Sequence, residues 1–220
     1  MKYIKFLLIG LVFISCNQNN PTTVTEEEQI EILQEDEVSK DEVEVRDLIR
    51  QVLKWADSKD RVSLLPALAD EEDEIYIGFD MNEHKKNLDK LKKTNFFAAE
   101  FIENYNQIIL TLDKKIQNKE LEEWFVDDLP PFNFMNNANP WCLCQDVPYD
   151  EPNPWDFVEI NIIRLNNENG DLEWKWGGLD INTDQSWKRF KYKFRVTKEN
   201  NKWKISYMEG FNFKNAIEAW

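Results

Sequence analysis

The chain has 220 residues, of which 42 are acidic and 27 basic, for a net charge of −15. Such a chain repels nucleic acid and anionic membrane surfaces, and no separate basic domain offsets this. Six glycines without Walker spacing and a single histidine argue against a phosphate-cradling loop, a histidine metal cluster or a Ser-His-Asp set, and no cofactor is expected.

Residues 1–16 carry Lys2 and Lys5, then the apolar run FLLIGLVFI, then Ser15-Cys16. Nine apolar residues are too few to cross a bilayer of about 30 Å as a helix. Basic, then apolar, then small is the order of a secretory signal. The cysteine that follows resembles the lipobox of bacterial lipoproteins, in which cleavage precedes a cysteine that then receives lipid. Phe13 and Ile14 stand where that motif has leucine and a small residue, so ordinary cleavage or retention as an anchor stays open. The resemblance implies lipid on Cys16 and membrane attachment through it. Asn17, which is not aspartate, points to the periplasmic side of the outer membrane. Loss of the two lysines takes the net charge from −15 to −17.

Residues 17–40 are polar and acidic, with Glu26, Glu27, Glu28, Glu31, Glu35, Asp36 and Glu37 against one lysine. They cannot bury enough apolar surface to order themselves and read as a disordered tether. A flexible coil of this length reaches roughly 25–30 Å. The remainder, 41–220, is long enough for one domain with a real core, and no internal repeat divides it.

Within that domain, residues 41–58 are a helix: Val45, Leu48, Ile49, Val52, Leu53 and Ala56 recur at steps of three and four. Residues 63–69 read as a short turn or helix limited by Pro66, and 75–79 as a short strand. A helix over 82–93 has a thin apolar face, Leu88 and Leu91, and places His84 on its surface. A stronger helix covers 96–116 with Phe97, Phe101, Ile102, Tyr105, Ile108, Ile109, Leu112 and Ile116 on one stripe. Residues 124–155 hold six prolines and five prominent aromatics (Phe132, Phe134, Trp141, Tyr149, Trp155), so they form an irregular segment that packs on the body.

Strands close the chain. Residues 158–165 and 172–176 pair around Asn169-Gly170, a hairpin signal. After a polar loop at 180–185, Phe190, Tyr192, Phe194 and Val196 alternate with Lys191, Lys193, Arg195 and Thr197. Asn200-Asn201 tolerates left-handed angles and turns the chain into Trp203, Ile205 and Tyr207. Residues 211–220 end the chain as a short helix. The expected architecture is α+β, with helices on one face of a curved antiparallel sheet of about four strands. Lys188, Lys191, Lys193, Arg195 and Lys204 form a cationic row, either a solvated face or a dock for the acidic tether or an anionic partner.

VRDLIRQVLKWADSKD, NFFAAEFIENYNQII and NKWKISYMEG, in that order, resemble the nuclear-transport-factor-2-like, or cystatin-like cone, superfamily. The resemblance covers roughly residues 41–211 and implies a cone of strands around a cavity. Within it, NPWCLCQDVPYDEPNPW is similar to a bacterial lipoprotein and secreted family of unknown function, with Asn139 where those members carry an acid. That family lends no catalytic residues.

Cys142 and Cys144 admit three readings: two buried thiols, a disulfide across a very small ring, or a redox or metal role. No metal site is assigned. Nine tryptophans serve a core or a ligand-stacking surface. Trp55, Trp174, Tyr192 and Tyr207, with Phe101, are the candidate lining of an aromatic pocket under a lid formed by 124–155. The competing arrangement fills the cone with Phe132, Phe134 and Trp141. The expected role is non-enzymatic binding of a small ligand or an envelope protein. The alternative is a cone-fold hydrolase or isomerase with Asp146 as general base, set against an Asp146 that only shapes a turn.

Overall fold

The computed structural model describes residues 39–149 and 152–220. Cys16, the expected signal sequence and nearly all of the expected tether lie outside them. Helix α1 (Lys40–Asp57) starts at Ser39, whose hydroxyl accepts from the Glu42 amide. Asp41 and Glu42 in its first turn suit the positive end of the helix dipole. The whole predicted stripe from Val45 to Ala56 is buried.

Beyond α1 come β1 (Ala67–Ala69) and β2 (Tyr76–Phe79), a two-stranded antiparallel sheet. Of the turn or helix expected at 63–69, residues 67–69 are instead this first strand. Pro66 has no amide for a helix, and its carbonyl instead accepts from the Asp80 amide at 2.8 Å. Helices α2 (Met81–Thr94) and α3 (Ala99–Gln117) follow, the first capped by Asp80 and ended by Asn95 at φ 59°.

The main sheet is β3 (Val158–Leu165), β4 (Asn169–Trp176), β5 (Tyr192–Glu199) and β6 (Lys202–Met208), all antiparallel and in chain order. Asn200 and Asn201 take φ of 52° and 61°, as the tight turn between β5 and β6 requires. The turn between β3 and β4 differs from expectation. It is made by 166–168, where the Asn166 side chain accepts from the Glu168 and Asn169 amides. Gly170 lies in the strand opposite Leu165 and Val196, and a Cβ there would sit 2.7 Å from a Leu165 methyl. Close packing explains that glycine. The polar loop also holds a short helix, α4 (Gln185–Arg189), capped by Asp184.

Both sheet edges are covered. On β3, Arg46 and Arg50 of α1 donate to the carbonyls of Ile160 and Val158. On β6, the Ile205 amide donates to Phe96 and its carbonyl accepts from Ala98, both at 2.8 Å. At the start of α1, Asp41 accepts from Lys198 Nζ at 2.8 Å and from Trp203 Nε1 at 2.9 Å. The helix is thus tied across the sheet from one edge towards the other, and unpaired strand groups are not left open at these points. Helix α5 (Phe213–Ile217) ends the fold, with Ala216 buried.

Candidate functional site

The segment 124–155 does not stand off as a cover. Phe132, Phe134 and Trp141 are buried, in one apolar core with the inner faces of the helices and the sheet. Trp141 meets Phe211 at 4.6 Å, Trp55 and Phe97 at 5.5 Å and Phe101 at 6.0 Å between ring centres. The segment is held by Tyr192, whose hydroxyl donates to the Pro140 carbonyl at 2.8 Å and accepts from the Gly210 amide at 3.0 Å. Burial pushes the Tyr192 phenol well above its usual pKa. Gly210 passes so close that a Cβ would lie 2.0 Å from the Pro140 oxygen.

The candidate lining residues are split by this arrangement. Trp174 stacks on Tyr192 at 5.6 Å, and both are fully buried. They meet each other and their core neighbours. Trp55 is half-buried beside Trp141. Tyr207 lies elsewhere, because a bulge between Arg195 and Val196 shifts the register of β6. Ile205 and Met208 then face the core, while Tyr207 faces outward beneath the Arg195 guanidinium, 4.7 Å from its ring centre. Strict alternation from Trp203 could not reveal that extra residue.

Cys142 and Cys144 form a disulfide. An extended backbone would hold Cα atoms two residues apart close to the limit of about 7 Å that a disulfide can bridge. Leu143 instead takes φ 49°, which folds the loop and brings the two Cα atoms to 5.1 Å. Backbone bonds from Asn139 to Cys144 and from Leu143 to Asn139 close the same turn. Asp146 is exposed, and its carboxylate accepts from the amide of Val147. That bond fits the turn-shaping role.

His84 corrects a second expectation. It is buried, with Nε2 donating to Asn106 Oδ1 at 2.9 Å and its ring 5.4 Å from Tyr105. Burial pushes its pKa below the usual value, and the Asn106 bond opposes that in part. Asn87, one turn further along α2, is buried too and donates to the Ser63 carbonyl. The polar residues of α2 carry part of its inner face, so a purely apolar stripe understated that face.

The cationic row is largely engaged. Lys191 pairs with Glu173, Lys204 with Glu199, and Lys188 donates to the Ile181 carbonyl. Glu173 and Glu199 have lowered pKa values: bonding from Lys191 is the leading cause for Glu173, while for Glu199 bonds from the Ala99 amide and Lys204 outweigh burial.

A groove of about 660 Å³ lies open between the loop after α1 and the loop 135–145. Lys59 and Arg61 form one side; Asn136, Asn137, Asn139 and Gln145 form the other. Trp141 and Cys144 contribute to the floor. Asn136 is buried; its amide nitrogen donates to the Pro130 carbonyl, and its Oδ1 has no partner among the described residues. Such an orphan acceptor is costly unless something donates to it. The clustering FNFMNNANP was the available signal, but its phenylalanines drew the reading toward packing. Among the described residues no group of three or more His, Cys, Asp or Glu is placed to hold a metal, and no helix is long and apolar enough to cross a membrane. Compared with family models, curated proteins and solved structures, the chain matches none.

Proposed function

We propose that this chain is an envelope lipoprotein, held by lipid on Cys16 at the periplasmic side of the outer membrane, with a binding role and no catalysis. The α+β order and the antiparallel sheet are compatible with a cone-like member of the nuclear-transport-factor-2-like superfamily, filled by its own aromatic segment. The observation that carries the binding role is the open groove, lined by amide and basic side chains and by no acidic one. Its volume lies in the range of about 300–1,000 Å³ typical of small-ligand sites. The ligand site is thus moved from the aromatic interior to the amide-lined surface beside it.

Two measurements test this reading. Cys16→Ala should leave the membrane fraction or remain unprocessed; fractionation and migration like wild type would remove the anchor. For the groove, the wild type and Ala138→Trp, which fills it, are compared by thermal shift against a mixture of muropeptides, glycans and lipids. A stabilisation confined to wild type supports the site, and no response in either protein removes it.

A further inference from the structure

The charge of the groove narrows its ligand. The chain has 42 acidic residues in 220, yet none of the 14 residues lining the groove is acidic. Two of them, Lys59 and Arg61, are basic and exposed, and neither makes an ion pair with a described residue. Asp60, between them in sequence, is not part of the lining. Lys54 pairs with Asp156 and Lys191 with Glu173, whereas the groove offers Lys59 and Arg61 no carboxylate of its own. A groove without carboxylates keeps both cations available to an anion brought from outside.

The opposite wall sets a second requirement. Three asparagines and a glutamine present amides, each able to donate and accept. A bare carboxylate, phosphate or sulfate can use only the donors of such amides, whereas a hydroxyl uses both their donors and their acceptors. The apolar lining residues Val62 and Leu64 are themselves buried, so there is little pocket for an aliphatic side chain. Many hydroxyls together with a carboxylate define the class.

Resting on the binding role above, we propose that the groove binds an acidic saccharide of the uronic-acid type. Its carboxylate pairs with Lys59 and Arg61, and its ring hydroxyls bond to the amides of Asn137 and Asn139.

The full chain in detergent micelles is titrated calorimetrically with trigalacturonate, with its neutral counterpart galactotriose, and with triglutamate. Trigalacturonate should bind at least about tenfold more tightly than either, the scale of one charge-assisted hydrogen bond. That preference should fall with added salt. The double variant Lys59→Gln, Arg61→Gln should lose it, while retaining the wild-type melting curve. Equal binding of galactotriose overturns the requirement for charge, equal binding of triglutamate overturns the requirement for sugar, and an unchanged double variant overturns the role of the two cations. No binding of any of the three overturns the saccharide class. The mixture screen against Ala138→Trp then reads the binding role separately: a response there keeps that role with a different ligand.

Discussion

At the scale of single residues, His84 shows how a polar side chain becomes a pH-dependent element of stability. Burial is the leading reason its imidazole stays neutral below the usual pKa of 6.5. In the unfolded chain the same ring takes a proton as the pH falls through that value. The unfolded state then binds more protons than the folded one, so stability is full above about pH 6.5 and declines below it, down to the depressed folded pKa. We expect wild type to lose stability relative to His84→Leu between about pH 7.5 and pH 5. Urea melts of both proteins across that range check it; a flat difference would mean that His84 stays accessible to protons in the folded state. Asp41 works with the opposite sign. Bonds from Lys198 and Trp203 lower its pKa, so the stability it supplies is present above about pH 4 and is lost as the pH falls further.

At the scale of elements, the hairpin β5–β6 is where period-two reading works best. Phe194 is buried between Leu172 and Met208, its neighbours on the two flanking strands, while Lys193 points outward. Phe194→Ala should cost about 3–5 kcal/mol by removing a buried ring. Lys193→Ala should stay within about 0.5 kcal/mol. Denaturant melts compare them, and similar losses would reverse the assignment of the two faces. The long helices and all four main strands were legible for the same reason: each buries one face, and burial imposes a period. Features that break a period were not. The bulge that turns Tyr207 outward, the left-handed Leu143 that closes the disulfide, and the turn before Asn169 held by the Asn166 side chain are each local to one or two residues. His84 and Asn87 were misread because polar residues that find internal partners look like surface residues. Of the groove, the asparagine run was visible, but its partner loop at 59–64 is brought to it only by tertiary packing.

At the scale of the whole molecule, one irregular segment joins the two layers. Its Phe132, Phe134 and Trp141 are buried in the common core, and Trp141 touches rings from α1, from the α2–α3 connection, from α3 and from the turn after β6. Helices and sheet therefore share one core, and its unfolding should be a single cooperative event. Trp141→Ala removes the shared contact and leaves a cavity that the surrounding rings can only partly fill. It should cost about 3–5 kcal/mol. Trp220→Ala, at a ring 74% exposed, is the control and should change stability by less than about 0.5 kcal/mol. Circular dichroism at far-ultraviolet wavelengths follows the helices, and tryptophan fluorescence follows the aromatic core. In wild type the two signals should melt together, and in Trp141→Ala they should still do so at a lower denaturant midpoint. Signals that separate in wild type would show that the helices and the sheet hold their own cores and that the segment merely lies between them. A Trp141→Ala protein as stable as Trp220→Ala would lead to the same conclusion.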